Sequence, residues 1–351
     1  MPNEREVLEA LATVKDPELG RDIVSLHMVE GVTVAGGEVT FTLNLTTPAC
    51  PLRTRLEESA KEAVARVPGV SKVEMKTGSV VFATRDYANS DMLKGVKNII
   101  AVASGKGGVG KSTIAVNLAV ALAQSGAKVG ILDADVYGPN IPLMMGVQGG
   151  TLVQGERIIP PVAHGVKVAS LGFFYNEQTA VIWRGPLVAG AVRQLLTQVD
   201  WGELDYLVVD LGPGTGDASL TLAQTVPLGG VLIVTTPQEA ALSIAAKALA
   251  MFKKLNVPIL GVVENMSYFV CPHCGEKTRI FSSGGGKKIA SERGVDFLGE
   301  VPLGVAIREE SDAGRPIVAS LPDSPEALVF KDLAFRVAGM VSIVAYAKMK
   351  R

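Results

Sequence analysis

Residues 104–113 read Ser104-Gly105-Lys106-Gly107-Gly108-Val109-Gly110-Lys111-Ser112-Thr113, and two ligand patterns overlap in them. Gly105, Gly107 and Gly110 fit the dinucleotide pattern G-x-G-x-x-G, and Asp133 stands roughly twenty residues further on, where a ribose-binding acid would sit. Gly105 to Ser112 also fit G-x-x-x-x-G-K-[ST], the phosphate loop of nucleoside triphosphatases. Lys111-Ser112 separates the two. A triphosphate needs an ammonium at its β- and γ-phosphates and a hydroxyl on Mg²⁺ directly after the last glycine, whereas a dinucleotide turn uses neither. The expectation is therefore ATP with Mg²⁺, cradled by Gly105, Lys106, Gly107, Gly108, Val109, Gly110, Lys111, Ser112 and Thr113, with Ser112 on the metal. Lys106 is a second cation inside the cradle. Read plainly it is a solvated loop charge, but a loop already holding phosphate gains from it only where it meets more phosphate.

Two stretches of apolar residues end in acids that would face the same ligand. Gly130-Ile131-Leu132 runs into Asp133-Ala134-Asp135, two acids at i and i+2, and Val208-Val209 runs into Asp210. Ligands of open parallel sheets sit beyond the carboxyl ends of the strands. Asp210 suits the holding of Mg²⁺ through its water shell, and Asp133 or Asp135 suits orientation of the attacking water. Gly212-Pro213-Gly214-Thr215-Gly216 after Asp210 reads as a switch that senses the γ-phosphate. Lys106, Lys111, Asp133, Asp135 and Asp210 make up the expected catalytic set.

Further on, Cys271-Pro272-His273-Cys274 follows the run Val262 to Phe269. The spacing lets two thiolates grip one metal, but a closed soft-metal site takes four ligands. The remaining cysteine, Cys50, lies in the other domain, so the missing pair comes most simply from a second copy of the chain. Four thiolates suit a 4Fe-4S cluster and a structural zinc equally well. A thiol-redox reading also exists, but no thioredoxin-like unit surrounds the motif.

The elements that must position these residues fall into two domains. Residues 1–84 read α-β-β-α-β: an amphipathic helix from Glu6 to Val14, a hairpin turning at Gly36-Gly37 with Val39, Phe41, Leu43 and Leu45 alternating against polar residues, a helix from Arg53 to Val67, and a strand from Val70 to Lys76. That order predicts a small α+β domain. Residues 85–97 are polar and mixed and are taken as a linker. Residues 98–351 alternate apolar runs (Ile99–Ala103, Val129–Leu132, Tyr206–Val209, Val231–Val234 and Ile259–Val263) with Ala-rich helical stretches. Continuous apolar strands between helices predict an α/β domain with a doubly wound, mostly parallel sheet.

Composition narrows the function classes. The 351 residues are 48% hydrophobic and 20% charged, a globular balance, with 38 glycines suited to backbone-lined sites. Lys and Arg number 34 against 35 Asp and Glu, for a net charge of −1. No global field draws such a chain to nucleic acid or anionic lipid, and neither domain is basic. The apolar run Val337 to Ala347 is too short to span a bilayer, which takes ~20 residues. The polar start Met1-Pro2-Asn3-Glu4-Arg5-Glu6 predicts no leader peptide. Three cysteines are too few for a disulfide scaffold, and a cytoplasmic protein with reduced thiols is expected.

Taken in order, Gly105 to Thr113, Asp133-Ala134-Asp135-Val136-Tyr137-Gly138-Pro139, Asp210 to Asp217, Asn265-Met266-Ser267 and Cys271 to Cys274 resemble the Mrp/ApbC family of iron–sulfur cluster carriers, within the ParA/MinD-like ATPases. The resemblance covers residues 98 to about 320. It implies a deviant phosphate loop whose first lysine, Lys106, reaches the partner's nucleotide in a homodimer. It further implies a labile 4Fe-4S cluster on Cys271 and Cys274 at the dimer interface, ATP turnover linked to handover to apo iron–sulfur proteins, and a place for Asn265 beside adenine. One departure is Gly212, where the family usually carries Pro, which loosens the switch. Ahead of it, Asp16-Pro17-Glu18-Leu19 and Thr46-Thr47-Pro48-Ala49-Cys50-Pro51 resemble a small iron–sulfur assembly domain, which implies dealings with cluster assembly proteins. Slow hydrolysis is expected, since no built-in arginine finger is evident. The competing readings are a ParA/MinD-type positioning ATPase riding on DNA or membrane, which the neutral charge disfavours, and a zinc-stabilised ATPase that remodels a partner.

Overall fold

The computed structural model describes residues 2–17, 19–50, 52–85, 93–135, 138–149, 151–155, 157–173 and 185–349. Part of the expected linker, residues 86–92, and Val136 and Tyr137 of the Asp133–Pro139 motif lie outside the described residues. The chain divides into two compact units, residues 1–82 with 338–351, and residues 83–337.

In the first unit, helix α1 (Glu4–Leu11) starts two residues before the expected Glu6 because Asn3 and Glu6 cap each other. The Asn3 side chain accepts the Glu6 N–H and the Glu6 carboxylate accepts the Asn3 N–H, at 3.0 and 3.1 Å. Strands β1 (Val29–Ala35) and β2 (Glu38–Leu45) form the expected hairpin, turning on Gly36 and Gly37, both at positive φ. Helix α2 (Arg53–Ala65) then crosses over to β3 (Lys72–Ser79), which pairs parallel to β2. Val7, Leu11, Phe41, Leu43, Leu56, Ala60 and Val64 close the core. Tyr346 packs against that core as well, and Arg21 donates to its hydroxyl and lies 5.5 Å over its ring. Residues 338–351 therefore group with this unit, whereas by sequence they were expected to belong with residues 98–337.

The second unit is an eight-stranded sheet with helices between the strands. Its elements run β4 (Val96–Ser104), α3 (Lys111–Gln124), β5 (Val129–Ala134), α4 (Ile141–Met144), β6 (Val162–Ala163), β7 (Val166–Ser170), α5 (Gly185–Gln198), β8 (Leu204–Leu211), α6 (Asp217–Thr225), β9 (Gly230–Thr235), α7 (Glu239–Lys254) and β10 (Ile259–Glu264). After a short hairpin come α8 (Gly285–Arg293), β13 (Phe297–Glu300), α9 (Val305–Asp312), α10 (Ile317–Ser320) and the start of α11 (Pro325–Met349), whose residues from 338 on group with the first unit; the hairpin strands are β11 (Phe269–Val270) and β12 (Lys277–Thr278). The strand order is β6-β7-β5-β8-β4-β9-β10-β13, parallel except for the edge strand β6. The five apolar runs read from the sequence are strands β4, β5, β8, β9 and β10. Short β7 and β13 were not expected: Val166–Ser170 carries a polar Lys167 and Phe297–Glu300 a Gly299, and both take their place by pairing with longer neighbours. Strand β8 is inserted between β5 and β4, so β4 is flanked by two strands reached by crossovers in opposite directions, and the crevice at its carboxyl end is the topological switch point.

Candidate functional site

The loop between β4 and α3 occupies that crevice, and its glycines are there for different reasons. A Cβ on Gly105 would lie 2.5 Å from the Ile244 carbonyl carbon of α7, so only glycine lets the loop pass the helix. Gly108 and Gly110 hold φ of 78° and 80°, the left-handed region. Gly110 is the N-cap of α3 and offers no side chain to the first turn, leaving that turn's N–H groups for an anion. Asn265, just past β10, donates its side-chain N–H to the Val109 carbonyl at 2.8 Å and braces the loop from the carboxyl end of another parallel strand. Gly214 of the expected switch donates to the Ser104 carbonyl at 2.9 Å. At Gly212 a Cβ would sit 3.7 Å from Asp135 Oδ1, an ordinary contact, so glycine is not demanded there by space.

Charge concentrates behind the loop. Lys111, 6% exposed, places Nζ 2.6 Å from Oδ1 of the fully buried Asp210, while Ser112 donates its hydroxyl to Oδ2 at 2.6 Å. Burial pushes the Asp210 carboxyl up, and the Lys111 ammonium and Ser112 hydroxyl pull it back down. Asp210 and Asp133 are register partners across β8 and β5, two carboxylates on neighbouring parallel strands. Asp133 is fully buried and accepts from the Asp135 N–H, the Ile141 N–H and the Ser170 hydroxyl, each at 3.1 Å. Burial first, and the neighbouring Asp210 second, raise it from 3.8 to about 7 against those donors. Asp135 stands further out, its Oδ2 3.7 Å from Lys111 Nζ.

These groups line one side of a cavity of about 610 Å³. Ser104, Lys106, Gly107, Gly108, Gly110, Lys111, Ser112, Thr113, Asp135 and Asn265 are on its wall; Asp133, Asp210, Gly105 and Val109 are behind it. The far wall comes from Met266, beside Asn265, and from residues the sequence reading did not select, the loop Pro302-Leu303-Gly304 and Ile307, Arg308 and Ser311 of α9. No motif marks residues 302–311; only a strand end followed by Pro and Gly hinted at a loop. Arg308 is tied to Asp312 at 3.1 Å and Glu309 at 2.9 Å on its own helix.

The cysteines sit in the hairpin of β11 and β12. Cys271 donates its N–H to the Glu276 carbonyl and accepts from Gly275 N–H, both at 2.9 Å, with Gly275 at φ 73°, which folds the motif into a tight knuckle. The Cys271 thiol is held below its ordinary value of 9.0, first by the Cys274 backbone N–H, then by that of His273 and by the Cys274 thiol. Cys274 and His273 are exposed. Among the described residues no group of three or more His, Cys, Asp or Glu side chains could hold a metal. Cys50 packs, half-buried, against the core of the first unit.

A phosphate loop at the switch point of a doubly wound sheet, with a lysine and an acid on the next strand behind it, defines a P-loop nucleotide-binding protein of the α/β class. The chain belongs to the NUBPL iron-transfer P-loop NTPase family, whose model matches residues 95–338, and residues 4–75 match the family of iron–sulfur cluster assembly proteins. The resemblance drawn from the loop, the aspartates and the cysteine motif is thereby borne out. An iron–sulfur cluster carrier protein of Synechocystis is 50% identical over 345 residues, 97% of this chain and 98% of its own length. An iron–sulfur cluster transfer protein of Dictyostelium discoideum is 51% identical over 72% of this chain and 79% of its own. Among solved structures, a nucleotide-binding protein of Archaeoglobus fulgidus in complex with ADP superposes with TM-score 0.60 at 41% identity, covering 70% of this chain and 96% of that one. The cell-division ATPase MinD of Pyrococcus furiosus does so with TM-score 0.53 at 26% identity, covering 68% and 98%. No helix among the described residues is long and apolar enough to cross a membrane.

Proposed function

We propose that this protein is an ATP-dependent carrier that receives a 4Fe-4S cluster between two copies of the chain and passes it to apo iron–sulfur proteins, with slow hydrolysis of ATP. The observation that carries the reading is the incomplete cysteine knuckle: Cys271 and Cys274 are presented at the surface with no third ligand among the described residues. Two such halves make a four-thiolate cage. Relatives named as cluster carriers and transfer proteins support the same cargo, and the assembly-type unit at the N-terminus fits exchange with cluster assembly proteins.

The nucleotide end follows from residue chemistry. The N–H groups opening α3 and the Lys111 ammonium take the phosphates, so Lys111 exchanges Asp210 for phosphate when nucleotide enters. The Ser112 hydroxyl and Asp210, 2.6 Å apart, are hard-oxygen donors that suit Mg²⁺, which when bound neutralises phosphate charge. Asp135, on the cavity wall, is placed to orient the attacking water; Asp133, buried behind it, fixes the Asp135 amide and the start of α4. Asn265 and the wall 302–304 close the end left for the base. Lys106, exposed at the mouth, extends toward a second copy's nucleotide. Slow hydrolysis goes with a sequence that offers positioning and charge neutralisation but no evident built-in arginine finger. The near-neutral charge argues against DNA or membrane as partners, and a cytoplasmic location goes with reduced thiols.

The test is anaerobic reconstitution of the full chain with iron and sulfide, followed by Mössbauer or EPR spectroscopy and transfer to an apo-4Fe-4S acceptor. About four irons per dimer are expected. A Cys271→Ala/Cys274→Ala variant that assembles the same cluster would overturn the proposal, as would zinc bound with no iron uptake.

A further inference from the structure

Glu264 ends β10, one residue before Asn265, and is fully buried. A carboxylate without water is stable only when donors surround it. Three do: the Ser267 hydroxyl at 2.6 Å and the Gly284 N–H at 3.0 Å on Oε1, and the Gly286 N–H at 2.6 Å on Oε2. Gly286 can come this close because a Cβ there would lie 2.9 Å from Glu264 Cβ. The positions of these donors in the chain matter. Ser267 is where the chain leaves for the cysteine hairpin, and Gly284 and Gly286 are where it returns. One carboxylate thus clamps both stems of the segment 268–283 that carries Cys271 and Cys274.

The neighbouring residue faces the nucleotide cavity. Successive side chains at a strand end point to opposite sides, and Asn265 bonds the Val109 carbonyl of the phosphate loop while Glu264 bonds the hairpin stems. A second connection runs through the cavity's far wall. Leu303 donates to the Tyr268 carbonyl at 2.7 Å and bridges to Phe269, the first residue of β11, while Val301 and Ser267 bond at 3.0 Å and Val301 also donates to the Glu264 carbonyl at 2.9 Å. The loop 302–304 that lines the cavity and the strand that leads into Cys271 are therefore one hydrogen-bonded piece anchored on residue 264.

We propose that Glu264 is a positioning residue that transmits nucleotide occupancy to the cysteine pair, through Asn265 and the 301–303 strap on one side and the two hairpin stems on the other. This deepens the reading above and rests on its two sites, a nucleotide cavity and a cluster-bearing thiol pair. It adds the residue that joins them. Coupling of this sort is reciprocal: what nucleotide does to the hairpin, cargo on the hairpin does to nucleotide affinity.

The test uses the full-length, reduced, cluster-free protein. Iodoacetamide labelling of Cys271 and Cys274 is followed by mass spectrometry with and without saturating Mg–ADP, alongside ADP affinity by calorimetry. In the wild type, ADP should change the labelling rate by about fivefold or more. In Glu264→Gln, ADP affinity should stay within about threefold of wild type while the ADP effect on labelling falls to none, since the amide cannot accept from all three donors. A variant that merely loosened the fold would lose both together. Should Glu264→Gln not fold, Ser267→Ala, which removes one donor, should weaken the effect, and Ser267→Thr, which keeps the hydroxyl, should restore it. Wild type that binds ADP with no change in labelling, or Glu264→Gln or Ser267→Ala with the full change, overturns the inference. Such a failure is separable from failure of the carrier reading, which would show instead as absence of iron uptake by wild type on reconstitution.

Discussion

Replacing Asp133 by Asn tests whether the carboxyl buried behind the cavity carries a proton. In the nucleotide-free chain this group is raised from 3.8 to about 7 by burial and by Asp210, its cross-strand neighbour. An acid whose folded value lies above its unfolded value binds its proton more tightly in the folded state, so folding loses stability as pH rises from the unfolded value to the folded one. Each unit is worth about 1.4 kcal/mol, so the wild-type penalty grows from near pH 4 and levels off above about pH 7 at roughly 4 kcal/mol. Asn carries no such penalty. It does turn an NH₂ toward a donor that now faces an Asp133 oxygen, the Asp135 N–H on Oδ1 or the Ile141 N–H on Oδ2, at a cost of about 1–3 kcal/mol that does not vary with pH. Asp133→Asn should therefore match or fall below wild type near about pH 5 and exceed it by about 1–3 kcal/mol near about pH 8. Denaturant unfolding of the nucleotide-free proteins across that range, followed by a probe in the second unit, gives the difference directly. A variant less stable than wild type by the same amount at every pH would refute the reasoning, because it would mean that the three donors keep Asp133 ionised throughout.

Lys111→Ala removes the ammonium bonded to the buried Asp210 carboxylate, so it should cost about 3–5 kcal/mol of stability, more at high pH than at low because protonation of Asp210 relieves the loss. ADP affinity should fall with it by about a hundredfold or more, and calorimetry showing near-normal binding would contradict the loop assignment. Gly110→Ala forces a Cβ to within 2.2 Å of the Asn265 amide nitrogen at φ 80°; ADP should bind about tenfold or more weakly, for strain of about 1–2 kcal/mol plus the lost brace on Val109. Tyr346→Ala uncovers part of the first unit's core and removes the partner of Arg21. It should loosen that unit by about 1–2 kcal/mol, seen as faster amide exchange in β2 with exchange in β4 unchanged.

How much of this could be read without coordinates differs from site to site. The phosphate loop was fully legible because its chemistry is carried by backbone and by adjacent residues: the positive-φ glycines, Lys111 and Ser112 act within ten residues of one another, and a strand before and a helix after them follow from local periodicity. Asp133, Asp135 and Asp210 were legible as strand-end acids. Their division of labour was not, since which of two acids at i and i+2 faces the cavity depends on what packs over each, and here α4 and Ser170 close over Asp133. The cysteine motif offered two candidate ligands and a deficit, a matter of counting.

Other features needed the tertiary structure. The far cavity wall, 302–304 with α9, joins the site from almost two hundred residues away in chain order and consists mostly of apolar and small residues with the single arginine Arg308, so no local pattern sets it apart. Glu264 reads in sequence as one more acid beside Asn265; that the Gly284 and Gly286 N–H groups join the nearby Ser267 hydroxyl on it is a consequence of how α8 returns to β10. Residues 338–349 continue a helix with no break in pattern, and only packing shows Tyr346 on the first unit's core. Local covalent order therefore determined which groups can meet a phosphate or a metal, because that chemistry acts over a few bonds. Burial, charge state and the connection between the two sites were decided by the fold, because desolvation and hydrogen bonding depend on neighbours that only folding supplies.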